Sequence, residues 1–296
     1  MTQSDSIALT PVSPGRWTTF AGPGWQNPGG GLWGGYAIGL FIKVLEAEPE
    51  AVGEALSLTL TYAAALPRAR WTSAHGGCAR GSIGVWEVEL LAAGSDQVGV
   101  HGMVTMAKRP ETPAFAFATM PDAPSPESLP SPEHPGTPLH YGAQAFERRG
   151  QDIFPPQVSG DSRSLVWVRS RRAPWDKALL GMVTDNSAPR AMYALGRTIN
   201  NTTLSLTVYL HATTEELAQV GDDFILVECE GRVGPAALGR TLQLLEPRRQ
   251  AAGHQRTALL VPAGAETVAG VAPPRPSPCG SRAALRQSVG ETHSRA

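Results

Sequence analysis

The sequence has few cysteines, no long apolar run and no excess of basic charge, and each of these absences argues against a class of protein. Three scattered cysteines among 296 residues give neither a disulfide framework nor a paired zinc-ligand motif. No apolar run approaches the roughly 18 residues of a membrane span, and no signal peptide is predicted. A formal net charge of −1 offers no basic field for nucleic acid or an anionic membrane. The expected partner is a small molecule, and the expected location is the cytoplasm.

One stretch organises the rest of the chain. Residues 203–211 alternate apolar and polar side chains at the two-residue period of a half-buried strand. Four apolar side chains are expected to face a core, namely Leu204, Leu206, Val208 and Leu210. Residues 56–60 repeat this pattern at an offset of 148 positions, which is half of the chain. The spacing indicates two copies of one unit.

Each copy of the strand is preceded by a segment suited to a buried helix. Residues 34–46 are apolar almost all round, as in a helix that a sheet encloses. Residues 174–185 are the second such segment, with Pro174 suited to a first turn and Pro189 beyond the end. Long strands are predicted around these helices, at residues 56–62, 70–73, 81–91 and 98–108 in the first half. The pattern predicts an α+β fold in which each unit wraps an antiparallel sheet around a central helix.

Composition divides the chain into four parts. Residues 1–109 form the first unit, and residues 110–140 form a linker, because nine prolines make this stretch stiff and extended. Residues 141–260 form the second unit, which loses its strand pattern after about residue 234 and is expected to be incomplete at its C-terminal end. Residues 261–296 are rich in Pro, Arg, Ser and Gly and are expected to be disordered.

The order of these features resembles the acyl-CoA thioesterases of type II, which are double hot-dog proteins. The resemblance covers roughly residues 17–232. It rests on Gly34 and Gly35 opening the first helix, on residues 120–132 of the linker, on Asp185 closing the second helix and on the strand at 203–211. It implies hydrolysis of an acyl-CoA thioester to a free acid and coenzyme A, with no further cofactor.

The resemblance also implies that an Asp and a Thr, by position Asp185 and Thr203, hold the attacking water. A carboxylate must take the proton of that water, because water is a weak nucleophile near neutral pH. Backbone N–H groups at Gly34 and Gly35 would stabilise the oxyanion, and these glycines and Trp33 are the expected substrate-binding residues. Without the resemblance, Asp185 reads as a turn residue and Thr203 as an ordinary strand residue.

The family further places a Gln on its final strand, and the sequence predicts no such strand after residue 234. One hypothesis is a shifted reading frame in the source gene across residues 239–259, which would leave an incomplete thioesterase with an exposed sheet edge.

The alternative function is a catalytically silent hot-dog protein that binds acyl-CoA or only dimerises. A hydratase on the same fold is a weaker alternative, because the Asp-to-His helix spacing is absent around Asp185. Assembly of several copies stays open.

Other motifs carry less weight. Three glycines before the first helix fit a dinucleotide-binding loop, but no β-α-β alternation follows them. The seven histidines show no metal-site spacing. A small basic cluster could contact the phosphates of coenzyme A, and it comprises Arg169, Arg171 and Arg172.

Overall fold

The computed structural model describes residues 7–27, 31–64, 70–92, 94–113, 119–131, 145–150, 162–197, 203–233, 240–247 and 259–263. The α-helices in these stretches are α1 (Gly34–Glu46), α2 (Lys177–Val183), α3 (Arg190–Leu195) and α4 (Thr214–Val220). The strands of the first half are β1 (Thr10–Ser13), β2 (Arg16–Phe20), β3 (Glu54–Tyr62), β4 (Arg70–Arg80), β5 (Ile83–Ala92) and β6 (Val98–Ala107). Those of the second half are β7 (Phe146–Gly150), β8 (Ser164–Ser170), β9 (Ser205–Tyr209), β10 (Ile225–Val233), β11 (Arg240–Pro247) and β12 (Leu259–Ala263).

Two antiparallel sheets build the molecule. The first has seven strands in the order β1-β2-β4-β5-β6-β3-β9, and the second has five in the order β12-β11-β10-β8-β7. The edge strand β12 of the second sheet contacts the edge strand β9 of the first. The sheets thus lie side by side, and their apolar side chains form one continuous core with α1 and α2.

The two repeated strands pair with each other. β9 lies antiparallel to β3, with Leu58 opposite Val208. Thr59 and Thr207, which are equivalent residues of the repeat, stand opposite each other with their hydroxyl oxygens 3.1 Å apart. Because equivalent residues meet in an antiparallel pair, a local pseudo-two-fold axis passes between them and relates the two strands.

The central helices lie against each other and run in opposite directions. All residues of α1 except Gly34, Lys43 and Glu46 are buried. Two glycines allow a close approach: a Cβ at Gly39 would lie 2.7 Å from Cγ of Met182, and one at Gly181 would lie 2.8 Å from a side-chain carbon of α1. This packing brings the end of α2 to the start of α1.

The linker is docked on the outer face of the second sheet. The indole of Trp167 donates to the carbonyl of Pro124 over 2.9 Å, and the Gly150 N–H donates to the carbonyl of Pro130 over 3.1 Å. Met120 and Leu129 pack against the same face. The linker therefore covers apolar surface of the second sheet, in addition to joining the two units.

The structure corrects two expectations about the second half. Helix α2 begins at Lys177 and not at Pro174, because the Asp176 carboxylate caps it by accepting the Leu179 N–H over 2.7 Å. Leu204 is 49% exposed, although the alternation placed it in the core. The strand begins only at Ser205, so Leu204 lies outside it and the strand alternation does not determine which way its side chain points.

The chain also continues as strands after residue 234, where the sequence pattern predicted none. β11 pairs with β10, and β12 pairs with β11 and includes residues 261–263 of the expected tail. An added strand needs only backbone N–H and C=O groups to continue a ladder, so alternation in its own sequence is not required. Residues 264–296 lie outside the described residues.

Candidate active site

Asp185 lies just beyond the end of α2 and points its carboxylate at the start of α1. The helix ends in a turn in which the Asp185 N–H donates to the carbonyl of Met182 over 3.2 Å. The Gly35 N–H then donates to Oδ2 of Asp185 over 2.8 Å. The partial positive charge at a helix N-terminus favours an anion in this position.

The Trp33 side chain binds the main chain of Asp185. Trp33 is the N-cap of α1, and its indole N–H donates to the backbone carbonyl oxygen of Asp185 over 3.1 Å. The start of α1 therefore binds both the main chain and the side chain of Asp185, across 152 residues of sequence.

Thr203 completes the group from the other side of the helix pair. Its hydroxyl donates to Oδ1 of Asp185 over a long 3.5 Å, from the position two residues before β9. With Gly34 next to Gly35, all five predicted site residues meet at one place, although they come from two halves of the chain.

Gly34 leaves the room that this arrangement needs. A Cβ at position 34 would lie 2.8 Å from Oδ2 of Asp185 and 3.1 Å from the hydroxyl of Tyr62. Such contacts are too short for any side chain, so the carboxylate reaches the helix start only because residue 34 is glycine.

The surroundings of Asp185 make it a better base than an ordinary aspartate. Burial raises the pKa of its carboxyl from 3.8 to about 6, although the hydrogen bonds from Gly35 and Thr203 act in the opposite direction. Within the described part of the chain, no ion pair involves Asp185. The group is therefore mostly ionised near neutral pH and still able to accept a proton, as general-base catalysis requires.

Tyr62 is part of this cluster, and the sequence analysis did not identify it. Its hydroxyl donates to the carbonyl of Gly34 over 2.9 Å, and its N–H donates to the carbonyl of Leu204 over 2.9 Å. The signal was present, because Tyr62 ends the first copy of the repeated strand. Pairing that copy with the second would have put Tyr62 beside Thr203.

In the described part of the chain, the remaining predicted features do not contact Asp185 directly. Of the basic cluster, Arg169 pairs with Glu147, and the Arg172 guanidinium lies 4.7 Å from the centroid of the Trp25 ring. Gln243 is on β11, opposite Cys229 of β10 in the register. β11 and β12 are strands in the sequence as written. The hypothesis of a shifted reading frame stays a prediction.

The described residues contain neither a metal-binding cluster nor a membrane-spanning helix. No group of three or more His, Cys, Asp or Glu side chains there is arranged to hold a metal ion. None of the helices in this part of the chain has the length and apolar character needed to cross a membrane.

Comparison with known families gives one match, to part of the chain. Residues 109–245 match the model of the acyl-CoA thioesterase C-terminal domain. The resemblance to acyl-CoA thioesterases is confirmed. The thioesterase match includes Asp185, Thr203 and the strand β9, and it extends past residue 234 into β11. The comparison with curated proteins gives no match.

Solved structures with the same fold cover nearly the whole chain. A conserved protein of unknown function with a hot-dog fold from Alicyclobacillus acidocaldarius is 21% identical, with a TM-score of 0.77, over 90% of this chain and 99% of its own. A putative thioesterase II from Thermobifida fusca is 16% identical, with a TM-score of 0.68, over 90% and 98%. An acyl-CoA thioesterase II from Mycobacterium marinum is 13% identical, with a TM-score of 0.60, over 88% and 97%. The predicted double hot-dog fold is therefore confirmed.

Proposed function

We propose that the protein hydrolyses acyl-CoA thioesters to a free acid and coenzyme A, with Asp185 as the general base. The family match and the fold support thioester hydrolysis in general. The observation that carries the mechanism is the Asp185 carboxylate, which has a pKa of about 6 and is held by the Gly35 N–H at the start of α1.

In the proposed reaction, Asp185 takes a proton from a water molecule that Thr203 helps to orient. Trp33, Gly34 and Gly35 border the thioester, and the positive end of α1 favours the negative charge that develops on it. Leu204 follows Thr203 and is 49% exposed, so it offers an apolar surface to an acyl chain beside the base.

The test is the release of free thiol from acyl-CoA by the wild type and by Asp185→Asn. The variant is expected to lower kcat by about 10²–10⁴-fold, because the base is lost while the shape is kept. In the wild type, kcat/KM should fall as the pH drops through about 6, where Asp185 becomes protonated.

Asp176→Asn is the matched control, because Asp176 lies at the opposite end of α2 and Asn caps a helix equally well. It should leave hydrolysis unchanged. Equal rates for the wild type and Asp185→Asn would contradict the proposal. Binding of acyl-CoA without any turnover would identify the silent hot-dog protein instead.

A further inference from the structure

Tyr62 ends β3 and places a phenol hydroxyl at the start of α1. The hydroxyl donates to the carbonyl of Gly34, and the backbone N–H donates to the carbonyl of Leu204, the residue after Thr203. Two of the segments that form the candidate active site therefore hold Tyr62, one by its side chain and one by its backbone.

The Tyr62 hydroxyl and the Asp185 carboxylate both lie next to Gly34. A Cβ at Gly34 would lie 2.8 Å from Oδ2 of Asp185 and 3.1 Å from the Tyr62 hydroxyl, so both groups lie close to the same point of the helix. A hydrogen-bond donor in this place is close to any carbonyl group that an Asp185-bound water could attack.

The Tyr62 hydroxyl is protonated, as a hydrogen-bond donor must be. Burial, and to a lesser extent the charge of Asp185, raises the pKa of Tyr62 well above its ordinary value of 10.0. The hydroxyl therefore keeps its proton over the whole pH range in which Asp185 changes its own charge.

The chemistry needs such a donor. Attack on a thioester moves negative charge onto the carbonyl oxygen, and a donor aimed at this oxygen lowers the barrier. The sequence assigned this role to the N–H groups of Gly34 and Gly35. The Gly35 N–H donates to Asp185, so it cannot serve the oxyanion while it holds the base.

We propose that the Tyr62 hydroxyl donates a hydrogen bond to the carbonyl oxygen of the acyl thioester, exchanging its contact with Gly34 for one with the substrate. This role rests on the proposed hydrolase function. The water oxygen bonds to the carbonyl carbon, one water proton passes to Asp185, and the C=O π electrons move onto the oxygen beside Tyr62. The oxyanion then collapses, the C–S bond breaks, and the thiolate of coenzyme A leaves and takes the proton from Asp185. Tyr62 keeps its proton throughout.

The experiment compares Tyr62→Phe with the wild type over a range of pH. Loss of one oxyanion donor should lower kcat by about 10²-fold, and the midpoint of the acidic limb, which reports Asp185, should stay near pH 6. The matched control is Tyr36→Phe, which also removes a buried hydroxyl, one that contacts the Thr19 hydroxyl at 3.1 Å on the other side of α1. This control should keep its rate within a few-fold.

Each other result overturns the donor role. A Tyr62→Phe rate close to that of the wild type would show that no donor was lost. A rate loss together with a shifted acidic limb would show that Tyr62 only anchors Gly34 and thereby the base. If Asp185→Asn is as active as the wild type, the hydrolase mechanism fails as well, and that failure is visible without any Tyr62 variant.

A second variant serves if Tyr62→Phe does not fold. Incorporation of 3-fluorotyrosine at position 62 keeps the ring and the hydroxyl and makes the hydroxyl a stronger donor. The donor role then predicts a higher kcat, measured at a pH well above the acidic limb. An unchanged or lower kcat overturns it.

Discussion

The two ends of the helix pair each hold a carboxylate, and the two carboxylates lie in opposite environments. At the start of α1, Asp185 meets a backbone N–H and a hydroxyl, and burial raises its pKa to about 6. At the start of α2, Glu54 lies 3.2 Å from the ammonium of Lys177 and also pairs with Arg109. Burial disfavours this second carboxylate, but the charge of Lys177 and hydrogen bonds from Thr214 and Arg109 outweigh burial and lower the pKa of Glu54.

The end that holds Glu54 is closed by an ion-pair network. Lys177 is only 1% exposed, and its ammonium also donates to the carbonyl of Ala212. The N–H and the hydroxyl of Thr214 donate to Glu54 over 3.0 and 2.9 Å, which ties the start of α4 to β3. These contacts join β3, α2 and α4, so we assign this end of the helix pair a structural role.

The residue that begins each helix accounts for the difference. The two helices pack against each other, yet α1 begins with Gly34 and Gly35 whereas α2 begins with Lys177. Glycine lets a carboxylate reach the backbone N–H groups, and lysine fills the same kind of space and neutralises the carboxylate. The raised pKa of Asp185 suits a base, and the lowered pKa of Glu54 reflects the charge of Lys177 and the hydrogen bonds around it.

The largest expected effect comes from removing the Glu54–Lys177 ion pair at the structural end of the helix pair. Glu54→Gln leaves the buried Lys177 ammonium without its partner, so we expect the free energy of unfolding to fall by about 3 kcal/mol. The double variant Glu54→Gln with Lys177→Met should recover much of this loss, because it removes the uncompensated charge. Urea unfolding of both variants measures the change.

Glu87→Gln is the control for this prediction. Glu87 pairs with His101 on the surface at 2.6 Å, where both side chains are about one-third exposed. Its loss should change stability by less than about 0.5 kcal/mol. If Glu54→Gln instead abolished hydrolysis at full stability, the division between a structural and a catalytic end would be wrong.

The next largest effect tests the catalytic end. Gly34→Ala forces Asp185 away from the helix start, because the added methyl would lie 2.8 Å from Oδ2. A displacement of about 1 Å can cost about 10²-fold in rate, and we expect kcat/KM for acyl-CoA to fall by roughly this factor. Gly39→Ala is the control, since its methyl would meet the flexible Met182 side chain at 2.7 Å. It should lower stability and leave the rate within a few-fold, and equal rate losses in both variants would contradict the account.

One part of the site carries a strong local signal, and the rest followed from the resemblance. The glycine pair before an all-apolar helix predicted α1 with the bounds that the structure has, Gly34–Glu46. The assignment of Asp185 and Thr203 to one site came from the resemblance to type II thioesterases. Their own sequence surroundings indicated only a turn residue and an ordinary strand residue.

The parts that were not predicted depend on partners far away in sequence. Tyr62 looks like an ordinary strand residue until β3 is paired with β9. β11 and β12 are defined by the ladder beside them, and their own alternation is weak. Helix α4 was missed although Thr213 and Glu216 form a capping box, which is a local signal that could have been used.

The smallest expected effect compares the two carboxylates by the pH dependence of stability. Below about pH 4 the Asp185 carboxyl is protonated in both the folded and the unfolded chain. As the pH rises through about 6, the raised pKa means that the unfolded chain releases this proton first, so stability falls. Asp185→Asn lacks this loss and should therefore gain stability relative to the wild type between about pH 4 and pH 6, and keep the gain at higher pH. Glu54 has a lowered pKa, so its contribution is present above its ordinary value of 4.5 and is lost as the pH falls. The advantage of the wild type over Glu54→Gln should thus shrink in acid. Unfolding at a series of pH values measures both slopes, and slopes of the same sign would show that the two ends do not differ in the way the structure indicates.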